Sequence, residues 1–160
     1  MSVSHSLQSR RRPNAPATAT RPEHDDRWPA IAAALGELRL AKRRSVRIVD
    51  ADCGAGTLLL RAVRHARSLG FTAIEGRGID GVPALIGRAR AAAARLDDPA
   101  IGMSFEMADL RAALTEEAEF PADILLCDNH AARAGLSVAI AAAGRVVIDH
   151  PATIARAVAA

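Results

Sequence analysis

The sequence predicts an α/β protein built on a doubly wound, mostly parallel sheet of about five strands. Three observations predict it. Short apolar runs that end in an acid alternate with helical stretches along the chain. The first such unit, Arg47 to Leu60 (RIVDADCGAGTLLL), passes from strand to acid to a Gly-x-Gly turn to helix. The run Ala122–Cys127 is apolar through its centre, as a strand buried on both faces must be.

Taken in order, residues 1–24 are rich in Ser, Arg, Pro, Thr and Ala without periodicity, and read as a disordered basic leader ahead of a folded domain over 25–160. Asp25 or Asp26 is placed to cap a helix over Arg27–Lys42, with Trp28, Ile31, Leu35 and Leu38 on one face and Pro29 tolerated in the first turn. Strand one covers Val46–Asp50. The turn at Gly54 and Gly56 lets backbone approach a ligand with no Cβ in the way. Helix two, Thr57–Leu69, carries the stripe Leu59, Ala62, Val63, Ala66 and Leu69, and Gly70 ends it. Strand two, Ala73–Asp80, holds two glycines and again ends in an acid. Pro83 opens a helix to Leu96, which Asp97-Asp98-Pro99 stops. Met103–Met107 is the third strand, Leu110–Glu117 a short amphipathic helix and Ala122–Cys127 the fourth strand. Ala131–Ala143 follows as a helix capped by Gly144. Arg145–Asp149 is the fifth strand, and Ala152–Ala159 a last short helix. The strand-helix alternation makes the sheet Rossmann-like, with strand-end loops gathered at one edge where nucleotide-like ligands bind.

Bulk properties exclude several classes. The net charge is +3, but residues 1–22 hold four arginines and no acid, so the remainder is −1 and nucleic acid is not an expected partner. One Trp, three Phe and no Tyr leave few surfaces for base stacking. No run is long and apolar enough to span a membrane, and the start of the chain lacks a secretory pattern. The two cysteines, Cys53 and Cys127, form neither a disulfide framework nor a metal pattern, so the expected compartment is the cytoplasm and no metal is expected.

From Val46 to Asp149 the residues resemble the core of the class I S-adenosylmethionine-dependent methyltransferases. Asp50 matches the acid of that family's first motif, and Gly54 and Gly56 match the second and third glycines of its loop. Asp52 stands in place of the first glycine, which adds a negative side chain near the expected methionine end of the cofactor. Asp80 in Gly78-Ile79-Asp80-Gly81-Val82-Pro83 matches the acid that binds the ribose hydroxyls. Asp109 and Leu110 match the segment beside the adenine, and Cys127-Asp128-Asn129-His130 the end of strand four that faces methionine and substrate. Gly144-Arg145-Val146-Val147-Ile148 resembles the family's entry to strand five. The resemblance implies S-adenosyl-L-methionine as cofactor, with Asp50, Asp52, Cys53, Gly54, Gly56, Asp80, Gly81, Asp109, Leu110 and Asp128 around it. It also implies a seven-stranded sheet closed by a hairpin beside strand five. That hairpin is missing from this reading, which leaves strand five an edge for a second copy or a partner subunit to cover.

Each residue also has a plainer reading. Asp80 also suits a helix N-cap, which is compatible with ribose binding, Asp109 suits a cap for the turn after it, and Asp50 suits support of the loop. Cys53 and Cys127 fit as small packing residues. Methyl transfer needs a base only when the acceptor must lose a proton, and His130 with Asp128 are the candidates on strand four, with His150 beside strand five. The leading expectation is a methyltransferase for a small-molecule acceptor. The alternative is a non-catalytic cofactor-binding or scaffold protein derived from one. A dinucleotide-binding domain fits less well, because its third small residue would fall on Leu59, too large for close helix–strand packing. The acceptor itself is beyond what a fold-level likeness carries.

Overall fold

The computed structural model describes residues 25–128, 135–149 and 154–156. The elements run α1 (Trp28–Leu40), β1 (Ser45–Ala51), α2 (Thr57–Ser68), β2 (Ala73–Asp80), α3 (Pro83–Ala93), β3 (Ile101–Met107), α4 (Leu110–Glu117), β4 (Ala122–Leu126), α5 (Ser137–Ala143), β5 (Gly144–Ile148) and β6 (Ile154–Arg156). The sheet order is β3-β2-β1-β4-β5-β6. The first five strands are parallel, and β6 is antiparallel to β5. The chain winds outward from β1 to β3, then returns to β4 on the other side of β1. This reversal opens a crevice at the carboxyl ends of β1 and β4. The expected α/β architecture is therefore present; the leader over 1–24 lies outside the described residues.

Alternation along the strands divides the core between two faces. Ile48, Ile74, Ile124 and Leu126 pack with α1, α2 and α3. Val49, Leu125 and Val147 pack with α4 and α5 on the other face. The stripe expected on α2 is the buried one, with Leu59, Ala62, Val63 and Ala66 at 0% exposure. Gly70 ends that helix with φ +89°, and Phe71 N–H reaches back to the Ala66 carbonyl.

Three expectations need correction. Ile154–Arg156 is a strand, where Ala-rich composition suggested a helix. Local helix preference yields here to the row of backbone groups that β5 offers along its outer side, with Val146 opposite Arg156 and Ile148 opposite Ile154. For the same reason β5 is not a bare edge: the chain's own segment pairs with it. Gly144 is the C-cap of α5 as expected, in extended rather than left-handed conformation, and begins β5 directly; a Cβ there would sit 2.5 Å from that of Leu125. Neither Asp25 nor Asp26 caps α1; its N-cap is Arg27, whose N–H is accepted by the Asp25 carboxylate at 3.0 Å. Of the helix expected over Ala131–Ala143, α5 is the part seen, and 131–134 lie outside the described residues.

The two glycines of β2 have a packing cause. A Cβ on Gly76 would meet Met103 Sδ at 2.6 Å, and one on Gly78 would meet the Phe105 ring at 2.4 Å. Large side chains of the edge strand β3 thus lie across β2 in slots that only glycine leaves open. Among the described residues no helix is long and apolar enough to cross a membrane. Gly78→Ala is expected to destabilise the fold by about 1–3 kcal/mol through overpacking. Gly87→Ala, on α3 with nothing within 4 Å of the new Cβ, is expected to be neutral or stabilising by up to about 1 kcal/mol. Urea denaturation of both variants checks the pair.

Candidate functional site at the carboxyl edge

The loop between β1 and α2 is the centre of the site. Asp52, Gly54 and Gly56 adopt φ of +71°, +56° and +73°. Asp is among the few side chains that accept this left-handed region readily, so the loop forms with Asp52 in place of a glycine. The two glycines are needed for different reasons. Nothing lies within 4 Å of a Cβ built on Gly54, so its requirement is conformational. A Cβ on Gly56 would lie 2.6 Å from the Phe105 ring and 3.1 Å from Ala89 Cβ, so there the space is also taken. Gly56 is the N-cap of α2 and offers no capping side chain, leaving the helix's first N–H groups directed at the carboxyl edge.

Strand two meets this loop through Asp80. The carboxylate is 4% exposed. Its Oδ2 accepts the Gly54 N–H at 2.9 Å and its Oδ1 the Val82 N–H at 2.7 Å. Cys53 N–H donates to the Ile79 carbonyl at 2.9 Å, so the loop is bonded to the end of β2 twice over. Each Asp80 oxygen keeps a second lone pair for another donor. Beyond it, Gly81, Met107, Ala108 and Asp109 line an open depression of about 370 Å³ between the ends of β2 and β3. Asp109 also caps α4, its Oδ1 accepting the Ala112 N–H at 2.9 Å, which is the plainer of its two readings. Leu110 opens α4 and packs on the second core.

Asp50 lies at the end of β1 beneath the loop, 2% exposed. Among the described residues its Oδ1 accepts no hydrogen bond. Burial pushes this carboxyl up to about 7; Arg27 opposes the shift, while Asp25, Asp52 and Asp80 add to it. Asp52 itself is exposed at the turn. Asp128 is exposed just past β4, within electrostatic reach of Arg27. Burial raises both thiols, Cys127 to about 12 and Cys53 beyond the ordinary thiol range, so each stays protonated and serves as packing. His130, Asn129 and His150 lie outside the described residues.

The structure thus brings Asp50, Asp52, Cys53, Gly54, Gly56, Asp80, Gly81, Asp109 and Asp128 to one edge of the sheet. It adds residues that sequence reasoning missed. Phe105 supports the loop from below. Met107, 58% exposed, forms a wall of the depression. Arg27 reaches over the end of β4, its Nη1 donating to the Cys127 carbonyl at 3.0 Å. The last bonds a carbonyl 100 residues away, and sequence spacing carries no sign of it. A roomier depression of about 400 Å³ lies at the opposite edge, between Arg43, Thr72, Pro99, Phe120 and Arg145. There Arg43 pairs with Asp123 and Arg47 with Glu75, so its acids are already compensated.

No protein-family model matches this sequence, and no curated protein sequence matches it significantly. Solved structures do match. The crystal structure of WbdD superposes with a TM-score of 0.58 at 19% identity, over 83% of this chain and 32% of that one. A sugar N-methyltransferase from Streptoalloteichus gives 0.52 at 18% identity, over 94% of this chain and 59% of that one. The magnesium protoporphyrin IX methyltransferase of Synechocystis, with S-adenosylhomocysteine bound, gives 0.51 at 17% identity, over 78% of this chain and 55% of that one. This chain spans less than two thirds of the length of each of these three proteins. By these superpositions the chain has the fold of the class I S-adenosylmethionine-dependent methyltransferases.

Proposed function

We propose that this protein is an S-adenosylmethionine-dependent methyltransferase acting on a small-molecule acceptor in the cytoplasm. The observation that carries the reading is the clasp between Asp80 and Gly54, which sets a strand-two carboxylate and a glycine loop side by side at the switch point. The residues fit the cofactor. Asp50 offers a buried acceptor without a donor, as an ammonium group requires. The left-handed loop at Gly54 and Gly56 offers backbone without Cβ atoms. The free lone pairs of Asp80, with Gly81 beside it, suit a ribose diol. The depression lined by Met107, Ala108 and Asp109, with Leu110 behind it, suits a flat base.

When bound, the cofactor supplies an electrophilic methyl group on a sulfonium. The chain's part is to bind and orient. Asp128 and His130 are the groups proposed to manage a proton on the acceptor. The alternative, a non-catalytic cofactor-binding or scaffold protein, draws on the exposed Asp52, which adds negative charge to the turn. S-adenosylhomocysteine binding with no methyl transfer across an acceptor screen would select it.

Two measurements test the reading. Calorimetric titration is expected to show micromolar S-adenosylhomocysteine binding that Asp80→Ala abolishes, with NAD failing to bind. Binding of NAD instead would overturn the cofactor assignment. The second concerns pH. The folded state holds the Asp50 proton up to about pH 7, whereas an unfolded chain releases it near about 4. Folding is therefore disfavoured progressively as pH rises between those values, and the cost is complete above about 7. Asp50→Asn should raise the melting temperature most in mildly alkaline buffer, by the equivalent of a few kcal/mol, with the gain shrinking toward about pH 4. An ammonium ligand favours the carboxylate, so S-adenosylhomocysteine binding to the wild type should weaken as pH falls below about 7.

A further inference from the structure

Arg27 stands over the crevice from outside every motif. Its side chain is 14% exposed. Nη1 is fixed on the Cys127 carbonyl at the end of β4. The other edge of the guanidinium grips Asp25 as a two-pronged fork, Nε on Oδ1 at 3.0 Å and Nη2 on Oδ2 at 2.9 Å. Burial works against the Arg27 charge, and Asp25, Asp50 and Asp128 together outweigh it. Arg27 and Asp50 meet at the end of β4: Asp50 is in register with Leu126, and the next residue, Cys127, offers the carbonyl that Arg27 holds; each charge also bears electrostatically on the other.

One place therefore holds two complementary binding groups. Asp50 is a buried acceptor whose Oδ1 has no donor. Arg27 is a cation in the geometry that takes a carboxylate bidentately, and a carboxylate from the chain itself fills it. An ammonium acceptor beside a carboxylate fork is the complement of an α-amino-acid head.

We propose that Arg27 is the carboxylate-binding residue of the site, that Asp25 occupies it as an internal mimic, and that an α-amino-acid head enters by exchanging its carboxylate for that of Asp25 while its ammonium meets Asp50. Asp25 thereby sets a threshold: a ligand with the whole head displaces it, and a ligand without a carboxylate gains nothing from Arg27. The ligand bearing the head rests on the cofactor reading above.

The test is titration calorimetry of the full chain with S-adenosylhomocysteine and with 5′-methylthioadenosine, which keeps the nucleoside and thioether but lacks the amino-acid head. Circular dichroism checks that each variant is folded. Arg27→Gln is expected to weaken S-adenosylhomocysteine binding about 10- to 100-fold, the range of a charge-assisted bidentate pair, and to leave 5′-methylthioadenosine unchanged. Asp25→Asn keeps an oxygen for the Arg27 backbone N–H but removes the competing charge. It is expected to tighten S-adenosylhomocysteine binding about fivefold without affecting 5′-methylthioadenosine. If Arg27→Gln does not fold, the Asp25→Asn result decides alone. Equal losses for both ligands in Arg27→Gln, or weaker S-adenosylhomocysteine binding in Asp25→Asn, would overturn the proposal while the cofactor reading stands. A folded wild type that binds neither ligand overturns both.

Discussion

The structure of the site depends on one carboxylate. Asp80 ends β2, yet one of its oxygens holds the N–H of Gly54, 26 residues earlier, and the other holds Val82 at the threshold of α3. Charge-assisted bonds to backbone N–H groups are the stronger kind, and at 4% exposure they have little competition from water. A single side chain thus fixes where the loop after β1 ends, where α3 begins and how far apart they are. The open depression beyond it inherits its position from that clasp.

The clasp needs support from beneath, and Phe105 supplies it. Its ring crosses β2 in the slot left by Gly78 and reaches the underside of Gly56. A loop with positive φ at Asp52, Gly54 and Gly56 is one the chain adopts reluctantly, because the glycines lose conformational freedom and Asp52, like any non-glycine residue, pays for positive φ. Packing from below and a carboxylate from the side leave it few alternatives. The same reasoning explains why β2 tolerates two glycines at all. Their entropic cost is offset by burial of Phe105, 4% exposed, against the loop it supports.

What the sequence made legible was what chain order alone controls. An acid that follows an apolar strand core marks the end of that strand, so Asp50 and Asp80 were placed by chain order. The turn after Asp50 declared itself because Gly54 and Gly56 have no other reason to stand together. What stayed hidden was whatever depends on a distant partner. Gly76 and Gly78 looked like weaknesses in β2 until Met103 and Phe105 were seen lying over them. Arg27 bonds a carbonyl 100 residues away, which no local pattern announces. Ile154–Arg156 was misread because alanine-rich composition reports helix preference, whereas the vacant side of β5 decides the outcome. His130, central to the proton chemistry expected, falls in a part of the chain that the described residues do not include.

The same distinction between local and distant control shows on the far side of the sheet. There Glu117, the last residue of α4, is only 2% exposed and meets both Arg47 of β1 and Arg77 of β2. Arg77 extends the network to Glu106 and Glu116, and Arg47 to Glu75. Burying such charges costs several kcal/mol per ion before they attract one another, so an apolar cluster would have served stability equally well. An ionic cluster differs in permitting little sliding, because each partner must be met at hydrogen-bond distance. Apolar packing holds β1, β4 and β5 beneath α4 and α5 on this face, but toward β2 and β3 it gives way to these charges. Register there is fixed by ion pairs that run from Glu75 near the start of β2 to Arg77 past its middle, and by Asp80 and Phe105 at the carboxyl end. β2 is therefore pinned along its length as well as at its tip, as it must be if the acid there is to meet a loop contributed by its neighbour.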